Sequence, residues 1–410
     1  MNDKKISTQP DLETQEISPT SEKAPDGGYG WIVTTSVAIV NGHSWGINAA
    51  YSVFLAHFVE ENTFPGTTPL MYAIAGSLSV GVMMLISPFT TIMARELGTR
   101  PTMLIGAIVQ SVSLWFTRRR ALANGIAIAG AGLGGLTYSL ATGAIIRNMG
   151  LEWAYRVLAI VSAVANITCT LLIRTRYNSQ ATRLAFDMTL LHRPEYLLVL
   201  SYGAFSMLGY FVLIFTLANY ANVIGLSSSQ ASMIPAFFMF GQAIGRPCIG
   251  WLSDRFGRIN LTFIMSLITG ILTFAIWINA KSFGVLLTFA LVGGLSAGVF
   301  WVNISPVLVE VMGLENLPSA LSCLWVAMAA PSTFSAPIAL EIYTGTGSYL
   351  GAQLFTGFMY IAASFCVLGV RRWKIDSLRG AKERSPASGE DGQDLKPMSW
   401  DLKCLKLDIV

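Results

Sequence analysis

Ten stretches of mostly apolar residues run the length of this 410-residue chain, at about 31–55, 70–93, 121–146, 153–173, 196–220, 231–251, 259–279, 283–309, 318–342 and 349–370. Each reaches the roughly 20 residues that one helix needs to cross a bilayer. Inside hydrocarbon every main-chain polar group must be satisfied within the protein, so spans of this length are α-helices. Charged residues make up 12% of the chain, about half of the roughly 25% usual in soluble proteins. The expected fold class is therefore an all-α polytopic membrane protein. Small residues recur within the spans, as in Gly130-x-x-x-Gly134 and Gly294-x-x-x-Gly298. That spacing lets helix backbones approach closely in lipid and signals a packed bundle.

The polar remainder is short: residues 1–28, a linker at 174–195 and residues 371–410. The two end segments are rich in Ser, Pro, Glu, Lys and Gly and read as disordered tails. With no cleavable signal in the first 28 residues, the first apolar helix is expected to act as the insertion signal. Lys and Arg in short loops set the orientation of such a chain, because basic loops stay in the cytosol. Placing both tails, 94–100, 117–120, 174–195 and 252–258 in the cytosol keeps 23 of the 27 basic residues there. Arg147, Arg156 and Lys281 fall outside, and Arg246 lies within a span.

This topology contains one contradiction. Every pair of consecutive cytosolic loops is separated by two spans, except 94–100 and 117–120, which are joined by a single apolar stretch. Seventeen residues make about 25 Å of helix, marginal for one crossing and insufficient for two. A single crossing would invert everything after Arg118-Arg119-Arg120. The consistent account is a hairpin that lacks its middle, roughly 25–35 residues by the span-length rule, with the join near Gln110–Ser113. Restoring it gives six spans, a basic linker and six spans. The expected organisation is a first half at 29–173, incomplete near 101–117, and a second half at 196–370, with about 11 spans in the chain as it stands.

Three motifs narrow the class. Gly250-x-x-x-Asp254-Arg255-x-Gly257-Arg258 lies between two spans and resembles the cytosolic loop motif of the major facilitator superfamily. Its chemistry suits a conformational latch: a glycine for close helix approach, an acid for a helix N-terminus, and arginines for the cytosolic side. The first-half counterpart, Met93 to Arg100, has acid and base interchanged. Asp26-Gly27-Gly28-Tyr29-Gly30-Trp31 is similar to the first signature of the monocarboxylate porters. Phe116-Thr117-Arg118-Arg119-Arg120-Ala121-Leu122-Ala123-Asn124-Gly125, followed by Gly130, is similar to their second. This resemblance spans about residues 25–375. It implies a major facilitator fold of six plus six helices with the third and fourth fused or truncated. The residues from Asp26 to Trp31, an acid before a helix and an interfacial tryptophan, read as a cap for the first span.

An ionisable side chain inside a span is a functional candidate, because placing it there costs at least about 2.5–3.5 kcal/mol. Arg246 lies eight residues before Asp254, about 12 Å into its helix, and a guanidinium pairs well with a planar carboxylate. The resemblance implies this role too: the porters carry an aspartate four residues before the arginine, where this chain has Gln242. Glutamine takes up no proton, so proton coupling through that pair is not expected. The first span has no lysine near Asn48, where animal porters carry one; it offers Asn41, His43 and Asn48. His43, which titrates near neutral pH when unperturbed, is the candidate for proton coupling. The expected substrate-binding set is Arg246, His43, Asn48, Gln242 and Asn303. Tyr202, Tyr210, Asn219, Trp301 and Trp325 are further central positions.

Enzymatic readings fail on context. Gly294-Leu-Ser296-Ala-Gly298 matches a hydrolase nucleophile motif but lies in an apolar helix, without the strand-turn-helix that motif requires. The five cysteines have neither metal-site nor disulfide spacing, and the basic residues sit beside spans, which does not indicate nucleic acid. The sequence thus points to a secondary active transporter of a small organic acid or related metabolite. It would work in uptake or efflux by alternating access, with no cofactor or metal, and with the lipid bilayer and an organic anion as partners. The plasma membrane is the expected location. The alternative is a transport-inactive membrane sensor or a truncated splice product of such a transporter.

Overall fold

A computed structural model describes residues 26–49, 69–96, 115–173 and 187–384, together with Tyr51, Phe54, Phe58 and Gly66. The helices are α1 (Tyr29–Ala49), α2 (Pro69–Leu85), α3 (Ser87–Glu96), α4 (Arg120–Met149), α5 (Leu151–Leu172) and α6 (Pro194–Val223). They continue as α7 (Ser228–Phe256), α8 (Arg258–Leu272), α9 (Phe283–Ala297), α10 (Val299–Met312), α11 (Leu317–Thr346) and α12 (Leu350–Arg384). Each of the ten expected spans is helical where it is described. Among the described residues, eight helical units are long and apolar enough to cross a membrane by length and composition. The more polar α1 and α7, of 21 and 29 residues, complete the set. The stretch at 97–114, with the proposed join near 110–113, lies outside the described residues.

Two expected spans are each built from two helices. Pro88 has no N–H to offer the preceding turn, and the chain passes from α2 to α3 at Ile86, where helical hydrogen bonds from Ile86 to Val82 and from Thr90 to Ile86 carry the axis on. Gly298 separates α9 from α10. After α8 the ladder widens to one π-turn, with Ile278 N–H donating to the Thr273 carbonyl at 3.2 Å. Between α7 and α8, Gly257 has φ +94°, a backbone region that glycine alone enters at no steric cost, which explains the glycine of the latch motif.

Glycines set the closest helix contacts. On α1, a Cβ at Gly46 would lie 2.6 Å from the Gly134 carbonyl carbon, and Gly130 presses on the Ala38 main chain. In the second half, Gly241 and Gly294 bring α7 and α9 together in the same way. The second half forms the larger core, with Tyr196, Tyr202, Met207, Phe238, Trp277, Phe289, Phe300 and Tyr360 fully buried. The halves meet along two seams, α4 against α7 and α2–α3 against α11. On the second seam the Thr91 and Ser322 hydroxyls hydrogen-bond at 2.6 Å.

One boundary differs from expectation. The segment from residue 371 was expected to be a disordered tail, yet α12 continues to Arg384. Its extension is held in place: Arg371 Nε donates to Asn260 Oδ1 at 2.7 Å, and Lys374 Nζ donates to the Glu310 carbonyl at 2.7 Å.

Candidate functional site

Arg246 projects from α7 into the seam between the halves and is buried, 4% exposed. Its Nη1 donates to the Ile128 carbonyl on α4 at 2.7 Å. Its Nη2 donates to Gln242 Oε1 at 2.5 Å and to the Tyr210 hydroxyl at 3.1 Å. Tyr210 in turn donates to Gln242 Oε1 at 2.8 Å. Arg246 Nε has no acceptor. Among the described residues no carboxylate pairs with this guanidinium. The helix break at Gly298 makes room for it, since a Cβ there would lie 3.1 Å from Nε and 3.2 Å from Cγ.

An aromatic wall adjoins the arginine. Trp301 on α10 stacks on Trp325 of α11 at 5.7 Å and meets Trp45 of α1 edge-on at 5.4 Å and Tyr210 at 5.8 Å. The Trp301 indole Nε1 is buried without an acceptor. Two N–H donors without acceptors, one of them cationic, therefore stand in a region crossed by both halves. Buried donors of this kind cost about 1–3 kcal/mol each, more when charged, and an anionic oxygen would satisfy them.

The expected binding residues divide. Arg246 and Gln242 come together as the sequence suggested. His43 does not join them. Its Nδ1 contacts the Tyr138 hydroxyl, and both line a groove between α1, α4 and α5 with Leu158 and Val161. Residues two apart on a helix point about 200° apart, so it is Trp45 that faces the seam from α1. Asn48, three residues beyond Trp45, falls on that same side of the helix and is half-buried. Asn303 is engaged elsewhere: Ser253 donates to its Oδ1 at 2.9 Å and its Nδ2 donates to Thr262 at 2.8 Å, so it fastens α10 to α7 and α8. Sequence reasoning missed Trp45. Its signal was the phase of α1 relative to the small-residue face of Gly42 and Gly46.

The Gly250-x-x-x-Asp254-Arg255-x-Gly257-Arg258 stretch lies at the basic end of the same seam. Asp254 accepts the N–H groups of Ala121 at 3.1 Å and Leu122 at 2.9 Å, at the start of α4. Anionic groups are stabilised at a helix N-terminus. Burial pushes the Asp254 carboxyl above its ordinary range, against these donors and Arg258, which pull it down. Arg258 pairs with Asp254 and with Glu310, both at 3.2 Å, and donates to the Thr117 carbonyl at 3.0 Å. Gly250 packs on the Ala121 and Leu122 main chain. Arg255 is exposed and lies over the Trp251 ring at 5.6 Å, apart from these contacts.

The two signature stretches pack on one another. Asp26, with φ +50°, accepts the N–H groups of Thr117 at 2.7 Å and Arg118 at 2.9 Å. Asp26 therefore caps the turn leading into α4, not the start of α1 as expected. Trp31 meets Phe116 edge-on at 4.9 Å, and Gly30 leaves room for the Phe116 ring. Gly27 and Gly28 accept the N–H groups of Gly30 and Trp31 and open α1. Arg118 and Arg119 are exposed; Arg120 is buried, its Nε on the Phe116 carbonyl at 3.0 Å. Gly125 lets α4 approach the Arg246 main chain, and Asn124 reaches α10.

Comparison with known proteins agrees with this architecture. The sequence profile of the Major Facilitator Superfamily matches residues 198–400. The chain is 28% identical to "Probable transporter MCH2" of Saccharomyces cerevisiae over 392 residues, covering 84% of this chain and 83% of that protein. It is 24% identical to "Monocarboxylate transporter 10" of Danio rerio, covering 82% of this chain and 77% of that one. The MCH2 alignment is longer than the part of this chain it covers, so that relative carries internal segments absent here. The crystal structure of the human organic anion transporter MFSD10 superposes with a TM-score of 0.63 at 13% identity, covering 83% of this chain and all of that one, a likeness of fold. The matched profile, the relatives along most of the chain and the shared fold together support placing the chain with the transporters of the Major Facilitator Superfamily, monocarboxylate-type proteins among them.

Proposed function

We propose that this chain carries a small organic anion across the membrane by alternating access, with Arg246 as the group that receives the carboxylate. The observation that carries the reading is a buried guanidinium with no carboxylate partner among the described residues and an Nε left without an acceptor. A lone buried cation is unfavourable by several kcal/mol. A substrate carboxylate would supply both the missing charge and the missing acceptor, and the indole N–H of Trp301 would be a further donor nearby.

The same geometry suggests how binding and movement are linked. Arg246 belongs to the second half but donates to Ile128 in the first. A carboxylate that takes the guanidinium competes with that carbonyl and loosens the seam, while Asp254, Arg258 and Gly250 hold the basic end shut. Rocking of the two halves about the seam would expose the site alternately to each face. In this reading the basic end and both tails are cytosolic and the plasma membrane is the site of action. The protein performs no covalent chemistry and needs no cofactor. Gln242 offers no proton and His43 lies in the groove away from Arg246, so a charge-selective site without proton uptake by this pair is proposed.

A second reading, a transport-inactive sensor or truncated product, is supported by the internal segments that MCH2 has and this chain lacks. Purified protein in proteoliposomes separates the two. Uptake of labelled monocarboxylates that is lost in Arg246→Ala supports the transporter, whereas saturable binding without flux supports the sensor. Flux unchanged by Arg246→Ala removes the role assigned to that residue.

A further inference from the structure

α10 contains Pro306, and proline has no N–H. The carbonyl four residues earlier, that of Val302, therefore lacks its ordinary helical donor. Val302 is fully buried, where an unsatisfied carbonyl costs about 1–3 kcal/mol. The missing donor comes from the other half of the molecule: Asn124 Nδ2, on α4, donates to the Val302 carbonyl at 2.6 Å. The same amide reaches the Trp301 carbonyl at 3.3 Å. Asn124 is itself 2% exposed, so water does not substitute for this contact while the seam is closed.

We infer that Asn124 is a positioning residue for the closed basic end, acting on the carbonyl that Pro306 leaves free. Three features make this contact specific to one arrangement of the halves. It crosses the seam, so it exists only while α4 lies against α10. Its acceptor is presented by a fixed segment, because Asn303 next door is held by Ser253 and Thr262. And its donor stands one helical turn before Ile128, whose carbonyl receives Arg246, so these two polar ties from α4 to the second half lie on one face of one helix. Separation of the halves leaves the Val302 carbonyl to water, which a proline-free helix would not require. Pro306 thereby converts an ordinary helical hydrogen bond into one that the two halves make together. The inference concerns the seam and does not depend on the identity, or existence, of a transported anion.

The test is a distance measurement between spin labels on Leu172→Cys and Glu315→Cys in a cysteine-free background of the full chain, reconstituted in nanodiscs. Both positions are exposed and lie near the basic ends of the two halves. Asn124→Ala is expected to move the closed-to-open ratio roughly tenfold toward open. Pro306→Ala restores an N–H at residue 306, so Val302 is satisfied within its own helix. In that background Asn124→Ala is expected to move the ratio less than about twofold. Asn124→Asp, of the same shape but with no donor when ionised, repeats the test if the alanine variant does not insert. An unchanged distance distribution in both Asn124 variants overturns the inference, as does an equal shift with and without Pro306.

Discussion

Substitution of Gly250 by alanine tests whether the seam is as close as described. A Cβ at residue 250 would lie 2.8 Å from the Ala121 carbonyl carbon and 2.8 Å from Leu122 Cα, and closer still to the Ala121 carbonyl oxygen. Carbon atoms rest at about 3.5–4.0 Å, so α4 and α7 must part by about 1 Å. The obstacle is main chain and cannot rotate away. Asp254 accepts from those same two residues at 3.1 and 2.9 Å, and a further 1 Å takes both bonds beyond hydrogen-bonding range. Overpacking strain and the loss of two charge-assisted bonds together disfavour the closed seam by about 2–4 kcal/mol. That is roughly a 30- to 700-fold change in the closed-to-open ratio. The Leu172–Glu315 label pair reads it directly. Gly284→Ala is the control, because a Cβ there meets nothing within 4 Å. A Gly250→Ala distribution indistinguishable from Gly284→Ala would refute both the closeness of the seam and the latch role of Asp254.

Other outcomes follow from the same contacts. Arg246→Lys keeps a charge but replaces a planar fork with a point donor, so anion affinity is expected to fall at least about tenfold in proteoliposome uptake. Gln242→Glu places a carboxylate beside Arg246 that competes with the substrate; anion binding is expected to weaken at neutral pH and recover on acidification, when the new group is protonated, as read by binding titrations across pH. Asp26→Ala removes the acceptor of two N–H groups before α4 and is expected to cost about 1–2 kcal/mol, seen as a lower melting temperature in detergent, with Asp26→Asn intermediate. Burial raises the Asp254 carboxyl above its value in an opened, solvated seam, so the closed form binds the proton more tightly. Its population is expected to increase as pH falls and to decrease as pH rises through that raised value, a trend reduced in Asp254→Asn, with Glu310, which burial also raises and which pairs with the same Arg258, carrying the remainder.

Much of this architecture was legible because lipid imposes strong rules on sequence. Span positions came from apolar length, and the contact of Gly250, Asp254 and Arg258 with the first half was signalled by an acid, arginines and glycines at fixed spacing. Arg246 stood out as a charge where charge is costly. The rest depended on information that spacing does not hold. The choice between His43 and Trp45 was one of rotational phase about α1, fixed by which face its glycines press on α4. Asn303 has the polarity of a ligand-binding residue, but its partners Ser253 and Thr262 lie on other helices. Asp26 precedes α1 and so looked like its cap; only the packing of Trp31 on Phe116 brings it to α4. The helix break at Gly298 is explained by the side chain of Arg246, which no local pattern near residue 298 announces.

Most polar ties that α4 contributes to the seam are made by its main chain: the N–H groups of Ala121 and Leu122 and the carbonyl of Ile128. Their partners on α7, Asp254 and Arg246, are side chains. The joint is therefore chemically lopsided. A substitution at 121, 122 or 128 that preserves the helix keeps the peptide group in place, whereas a substitution at 246 or 254 removes one partner outright. At Leu122 and Ile128, which are only half-buried, the side chain can change without altering the contact, whereas at 246 and 254 it cannot. A saturation scan would record tolerance at those two positions of α4 facing intolerance at their partners on α7, with Asn124 and Gly125 on α4 constrained by their own contacts.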